Sequence, residues 1–145
     1  MTPASKGVLV IAGVSKTAAA TATGTMDCLG FKAATINLSL TAADGTTTAS
    51  KSTVMKLSES DDNTTFTDIT VAVGGGTGGF TIPAAQTTDG IVAKFNVDLR
   101  GRKRYLKVTV SPATTQVVAC IADLFRGESM PDTYGEAGSH VLVDL

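Results

Sequence analysis

Four acidic residues lie close together in the sequence: Glu59, Asp61, Asp62 and Asp68. Paired carboxylates can act as acid and base in glycoside hydrolysis, and carboxylate oxygens in a loop can bind calcium. The alternating D-x-D-x-D-G pattern of a calcium-binding loop is missing. A sugar cleft would need aromatic walls, whereas the chain has no Trp, two Tyr and five Phe. The cluster surrounds a turn signal, so we expect its carboxylates to cap a turn.

The single histidine and the two cysteines offer little nucleophilic or metal chemistry. His140 lies in a polar C-terminal stretch, and its surroundings, AGSHV, lack the strand, turn and helix context of a catalytic serine. Cys28 and Cys120 are far apart and form no C-x-x-C pair, so metal-ligand spacing is absent. The apolar run around Cys120, QVVACIADLF, favours a buried free thiol, with a disulfide to Cys28 as the alternative. We expect no catalytic residues, no metal site and no cofactor.

The glycine-rich stretch VGGGTGGF is a candidate phosphate-binding loop. A P-loop requires a Lys followed by Ser or Thr after the glycines, and a helix that begins there. Neither feature follows this stretch, so we expect a flexible or sharply bent loop instead.

A basic cluster lies in NVDLRGRKRYLKVTV, where Tyr105 follows Arg100, Arg102, Lys103 and Arg104. A nucleic-acid site would need further basic positions, stacking aromatics and a basic excess, whereas the net charge of the chain is −1. We therefore expect no nucleic-acid partner. Two interpretations stay open. The cluster is a solvated loop tip, or its arginine side chains pair with the carboxylates of an acidic protein surface.

Alternating apolar side chains predict an all-β fold. The alternation is clear in INLSL, STVMKLSES, GIVAKFNVDL and RYLKVTV, and no stretch has the period of an amphipathic helix. About six to eight strands separated by turn signals predict an antiparallel β-sandwich, of which a jelly roll is one form. The stretches GIVAKFNVDL and RYLKVTV, separated by RGRK, predict a β-hairpin that carries the basic cluster at its exposed tip.

The two ends of the chain differ from its centre. Small residues after the first predicted strand, GVLVIAG, predict an irregular N-terminal arm or a weak strand. We expect no signal peptide, and no segment approaches the roughly 20 apolar residues of a membrane span. We expect a β-sandwich domain over 1–127, including the N-terminal arm, and a C-terminal arm over 128–145. This arm is polar until its last residues, which we expect to dock on a neighbouring subunit, with a disordered tail as the alternative: Val141, Leu142 and Val143.

Two stretches, VMKLSESDDNTTFTDI and VDLRGRKRYLKVTVSP with the later VVACIADLFRG, resemble a known family. They are similar to the capsid decoration (cement) proteins of tailed bacteriophages, including the head cement proteins of cyanophages. In that family an LxESDDxxxFxD-like segment precedes a GxKRYLxVxV-like strand. The first pattern is carried here by Leu57, Glu59, Ser60, Asp61, Asp62, Phe66 and Asp68, and the second by Gly101, Lys103, Arg104, Tyr105, Leu106, Val108 and Val110. The resemblance covers Thr53 to about Gly127.

The resemblance implies a non-enzymatic virion protein on the outer surface of the phage head. Such a protein is expected to be a homotrimer that binds the major capsid protein and reinforces the expanded shell. The low charged fraction, 17%, is also typical of a surface that neighbouring subunits cover. The candidate contact residues are the basic cluster and the C-terminal residues: Arg100, Arg102, Lys103, Arg104, Tyr105, Val141, Leu142 and Val143. The alternatives are a carbohydrate- or receptor-binding β-sandwich and another virion component, such as a tail-tube or neck protein.

Overall fold

The computed structural model describes residues 5–17, 20–42, 53–70, 80–82, 90–112, 114–126 and 141–144. Within these ranges the chain forms ten β-strands. They are β1 (Ser5–Lys16), β2 (Ala22–Asp27), β3 (Ala33–Leu40), β4 (Thr53–Ser60), β5 (Thr67–Asp68), β6 (Phe80–Ile82), β7 (Ile91–Asp98), β8 (Tyr105–Ser111), β9 (Gln116–Phe125) and β10 (Val141–Asp144). None of the described segments is a helix long and apolar enough to cross a membrane.

The strands form two sheets. Sheet A has the order β1-β9-β3-β7-β10, and sheet B has the order β2-β8-β4-β5, with β6 also paired to β4. All described strand pairs are antiparallel except β7 and β10, which run parallel.

The connectivity is that of a jelly roll. When the short β5 and the added β10 are left aside, β1 pairs with β9, β2 with β8, β3 with β7 and β4 with β6. These nested antiparallel pairs alternate between the two sheets, so the chain wraps around one core in the manner of a jelly roll. The prediction of an antiparallel β-sandwich is confirmed, and the jelly roll is the form it takes.

The core lies between the two sheets and is built from every second side chain. In β3 the side chains of Ile36 and Leu38 are fully buried, and Ile36 is registered between Phe95 of β7 and Ala122 of β9. Burying each large apolar side chain stabilises the fold by about 1.5–3 kcal/mol. The period of two in the sequence therefore identified the strands correctly, because one face of each strand must reach this core.

The connection between β7 and β8 is not the predicted hairpin. β7 pairs with β3 and β10 in sheet A, whereas β8 pairs with β2 and β4 in sheet B. Residues 99–104 therefore cross from one sheet to the other, and the basic cluster lies on this crossing. The hairpin prediction is wrong because alternation identifies a strand without identifying its partner. A short polar segment with a glycine suits either connection.

The strands near the chain ends belong to the same two sheets. β10 pairs along its length with β7 of its own chain. Docking on a neighbouring subunit stays a prediction for Val141, Leu142 and Val143. Near the N-terminus, β1 extends to Lys16 and β2 begins at Ala22, so strands reach into the small-residue stretch from both of its ends.

Candidate interaction surface at the arch end of the sandwich

Two crossings between the sheets stack on each other at one end of the sandwich. Residues 28–32 connect β2 to β3, and residues 99–104 connect β7 to β8. Their ends are joined by backbone hydrogen bonds: Leu99 N–H donates to Lys32 O at 2.8 Å, and Cys28 N–H donates to Arg104 O at 2.8 Å. Together with the loop 61–66 that follows β4, they form what we call the arch end. The basic cluster is therefore held on a hydrogen-bonded frame.

Two arginines of the cluster are each paired with a carboxylate of the same chain. Arg104 makes a two-pronged contact with Asp27, with Nε 3.0 Å from Oδ1 and Nη2 2.7 Å from Oδ2. Arg100 contacts Asp98 in the same way, with Nη2 2.7 Å from Oδ2. These charge-assisted hydrogen bonds lower the pKa of both aspartates to about 2. Both pairs are exposed to solvent, so they fix side-chain orientation more than they stabilise the fold.

The other two basic residues differ in their partners. Lys103 Nζ lies 3.1 Å from Asp61 Oδ2, and its backbone N–H donates to Glu59 Oε2 at 3.2 Å. In contrast, no carboxylate of the described residues lies within ion-pair distance of Arg102. Its half-buried side chain is thus the member of the cluster whose charge is left without an ion pair in the described part of the chain.

The turn after β4 is capped by Asp62. Its carboxylate accepts hydrogen bonds from the backbone N–H groups of Thr64 and Thr65, both at 2.8 Å, and from Ser60 Oγ at 2.7 Å. These three donors, the Thr65 N–H first among them, lower the pKa of Asp62 to about 2. Asn63 has a φ of 59°, a left-handed conformation that Asn tolerates well. The prediction that this acidic cluster caps a turn is confirmed for Asp62.

The aromatic rings near the arch end are covered by cations. The guanidinium of Arg104 lies 4.8 Å from the centroid of Tyr105, and Lys107 Nζ lies 4.2 Å from the centroid of Phe66. Such contacts are favourable when the cation sits over the ring face. Tyr105 and Phe66 therefore each have a cation stacked over one ring face.

The arch end as a whole alternates positive and negative groups. Arg100, Lys103 and Arg104 are each matched by a carboxylate of the same chain, so their positive charges are locally balanced. Fixed charges of both signs suit a protein surface with a complementary pattern. The structure thus brings the basic cluster together with the acidic turn. Contact with a partner stays a prediction.

Sequence reasoning missed the partners that fix this surface. Asp98 lies two residues before Arg100, so their pairing has a local signal in the sequence. Asp27 and Arg104 are 77 positions apart, and only the pairing of β2 with β8 brings them together. The exposed Leu29, at the tip of the 28–32 crossing, was also missed because its neighbours in sequence show no strand alternation.

The two cysteines are free and buried, so the alternative of a disulfide is wrong. Burial raises the pKa of Cys28 to about 11 and that of Cys120 to about 12. Since the thiolate is the reactive form, both sulfurs are poor nucleophiles near neutral pH. Within the described ranges, no three or more His, Cys, Asp and Glu side chains are grouped so that they could hold a metal ion. His140 and the glycines of VGGGTGGF lie outside the described residues.

Comparison with known proteins shows the fold. No protein-family model matches the chain, and no curated protein matches it either. Among solved structures, the chain is similar to the PBSX exported protein XepA, with 15% identity, a TM-score of 0.51 and coverage of 88% of this chain and 39% of XepA. It is also similar to the VP2 subviral particle of infectious bursal disease virus, with 7% identity, a TM-score of 0.51 and coverage of 85% and 33%.

A third similar structure is dimeric latent PorU from Porphyromonas gingivalis, with 12% identity, a TM-score of 0.50 and coverage of 86% of this chain and 13% of PorU. The chain therefore spans well under half of each of these three proteins. At such identities the similarity extends to the fold, and function must be argued from the surface of this chain.

Proposed function

We propose that this chain is a capsid decoration protein of a tailed bacteriophage. It binds the outside of the major capsid protein shell as a homotrimer and stabilises the expanded head, and it has no enzymatic role. The sequence resemblance supplies the family, and the jelly-roll body is a fold that viral capsid proteins also use. The VP2 subviral particle offers one parallel at the level of fold.

The proposal rests on one observation: the two stretches that resemble the decoration-protein family lie side by side in the fold. The LSESDD segment ends β4, and the GRKRYLKVTV segment leads into β8, which pairs with β4 in register from Val54 with Ser111 to Ser60 with Tyr105. Lys103 then ties the two segments together through Asp61 and Glu59. Motifs that are separate in the sequence thus form one rigid charged surface, as expected if they serve one contact.

This surface would act through many modest contacts. Fixed charges at the arch end orient the subunit on the capsid with little loss of side-chain freedom, because the ion pairs already hold them in place. Several subunit contacts within one trimer multiply the affinity of each. Reinforcement of a shell then needs no deep pocket and no reactive group.

The test measures occupancy on phage heads. Purified protein is mixed with expanded heads that were assembled without it by the phage that encodes it. Bound copies are counted after sedimentation at two salt concentrations. We expect saturable binding by the wild type and lower occupancy for Arg102→Ala, with partial recovery for Arg102→Lys. Arg102 is the chosen position because its loss breaks no ion pair with a described residue, so thermal stability should stay close to that of the wild type.

Other outcomes of these experiments would contradict the proposal or part of it. Wild-type protein that remains in the supernatant at every concentration would refute the capsid role. Binding to a glycan array by the same preparation would favour the carbohydrate-binding alternative, and labelling of tails in place of heads would favour a tail-tube or neck component. Unchanged occupancy of Arg102→Ala would remove the arch end from the contact and leave capsid binding in place.

A further inference from the structure

One exposed leucine lies at the tip of the crossing between β2 and β3. Leu29 is 65% exposed, and it is the only exposed large apolar side chain at the arch end in the described ranges. The other exposed large apolar side chains of these ranges lie on β1 and β9: Leu9, Val117 and Ile121. A single apolar side chain on a protein surface is common and needs no partner. Leu29 differs from this ordinary case in the backbone that carries it and in the charges around it.

The turn that carries Leu29 is fixed by short-range hydrogen bonds. The Phe31 N–H donates to Cys28 O at 3.1 Å, and Gly30 has a φ of 83°. This combination is that of a type II turn, in which Leu29 occupies the first central position. The Leu29 N–H also donates to Asp27 Oδ1 at 3.0 Å, and this carboxylate is already held in an ion pair. Leu29 is therefore presented on a backbone that has little freedom to lose on binding.

The charges around this turn are mainly positive. Arg126, which follows β9, places its guanidinium 5.4 Å from the centroid of Phe31. Hydrogen bonds from Arg104 and from a backbone N–H lower the pKa of Asp27 most, and the nearby charge of Lys6, at the start of β1, adds to them. Neither Lys6 nor Arg126 forms an ion pair with a carboxylate of the described residues. Two cations without an ion pair in the described part of the chain therefore flank the leucine.

We infer that Leu29 is the apolar anchor of the contact at the arch end, and that its partner is a protein surface with a small apolar socket and an acidic rim. The inference rests on the proposed function, in which this surface belongs to the major capsid protein. The socket removes Leu29 from water, and carboxylates at its rim pair with Lys6 and Arg126. Binding energy in protein contacts is commonly concentrated in a few side chains that fill such pockets, while the surrounding contacts exclude water.

A groove beside β1 does not provide this socket in a second copy of the chain. It has a volume of about 290 Å³, and its lining contains Lys16 and no carboxylate. A rim of that charge would repel Lys6 and Arg126. An acidic rim on a different protein matches their charges.

Binding to expanded phage heads, measured by sedimentation over a concentration series, tests the anchor. We expect Leu29→Ser to raise the dissociation constant at least about tenfold, because the apolar area that the socket buries is lost. Leu29→Met should retain most of the affinity, since it keeps an apolar side chain of similar volume. Leu9→Ser is the matched control, because Leu9 is also 65% exposed but lies on β1. It should bind as the wild type does.

The salt dependence of binding tests the acidic rim. Lys6→Gln and Arg126→Gln should each weaken binding about two- to fivefold at low salt, because each removes one exposed ion pair. Both should also make binding less sensitive to added salt. Lys16→Gln is the control, because Lys16 lies at the opposite end of β1 from Lys6. It should leave binding unchanged.

Protection of an introduced thiol gives a second readout that tolerates a loss of affinity. Cys28 and Cys120 are buried, so a maleimide should react mainly with the introduced cysteine. Reaction is followed on this chain by mass spectrometry. In Leu29→Cys we expect the thiol to react far more slowly on heads than in the free protein. In Leu9→Cys the two rates should be equal.

The outcomes separate the anchor from the proposed function. Wild-type binding with equally tight binding of Leu29→Ser, or equal reaction rates of Leu29→Cys on and off heads, would overturn the inference and leave capsid binding in place. Unchanged binding of both Lys6→Gln and Arg126→Gln would overturn the acidic rim. A lower molar mass of Leu29→Ser in light scattering would also overturn the inference, since a second copy would then cover Leu29. Wild-type protein that does not bind heads would overturn both proposals.

Discussion

Replacing Gly24 with alanine should force β1 and β2 apart. An added Cβ at Gly24 would overlap the carbonyl oxygen of Val10 and would lie 2.6 Å from its carbonyl carbon. The obstructing atoms are backbone, and β1 is held in place by its pairing with β9, so the strain cannot be relieved by turning a side chain. Gly24 is therefore the position where the edges of the two sheets approach most closely among the described glycines.

The expected loss of stability in Gly24→Ala follows from this geometry. Overpacking in a well-packed site costs typically 1–3 kcal/mol, and a backbone obstruction places Gly24→Ala in the upper part, at about 2–3 kcal/mol. The entropy of unfolding is about 2.1 cal/mol/K for each residue. For a chain of this size, a loss of 1 kcal/mol in the free energy of unfolding therefore lowers the thermal midpoint by about 3 °C. We expect the thermal midpoint to fall by roughly 6–9 °C at equal protein concentration.

Gly13→Ala, in the neighbouring strand β1, is the control. A Cβ at Gly13 would meet its nearest atom, Val117 Cγ1, at 3.7 Å, an ordinary contact. Alanine there should leave stability unchanged or raise it by about 0.4–1 kcal/mol, because it restricts the unfolded chain. Urea unfolding followed by circular dichroism measures both variants. Equal stability of the Gly24 and Gly13 variants would refute the close approach of β1 and β2.

Two further predictions concern titrating groups. Because the pKa of Asp62 is lowered to about 2 in the folded chain, its stabilising effect is complete above about pH 4 and is lost as the pH falls toward 2. Asp62→Asn should therefore show a smaller fall in urea midpoint between pH 6 and pH 2.5 than the wild type, and an identical fall would contradict the capping role. Cys28 and Cys120 should react with a disulfide reagent at pH 8 far more slowly in the native protein than in urea, since burial raises the pKa of both thiols. Fast modification of the native protein would show that these sulfurs are accessible.

The sequence predicted the strands well and their partners poorly. β3, β4, β7 and β8 contain the stretches in which the sequence alternates, because a strand with one buried face shows its burial directly in the order of its residues. The hairpin between β7 and β8 failed for the same reason, since the pattern says which side chains are buried but not which sheet contains them. Both strands bury their apolar faces in one core, and they do so from opposite sides.

At the arch end, too, the features set by near neighbours in the sequence were predicted, and those set by distant residues were not. The capping role of Asp62 could be predicted from the sequence, because its hydrogen-bond donors lie within a few residues of it. The cluster from Arg100 to Arg104 was recognised as basic, but its neutralisation was not predicted, because Asp27 and Asp61 reach it only through the pairing of β2, β8 and β4. The contact surfaces themselves are proposals that rest on this tertiary arrangement.

The order of side chains along the chain by itself determined a two-layered β body with a buried, unreactive cysteine in its last long strand and a capped acidic turn. These are properties of near neighbours in the sequence, where periodicity and short-range hydrogen bonds operate. Only the tertiary structure decided that the chain wraps as a jelly roll, that the basic cluster is matched by distant carboxylates, and that Leu9 and Ile121 share one exposed face. Those outcomes depend on contacts between residues far apart in the chain, which are fixed only when both sheets close over a common core.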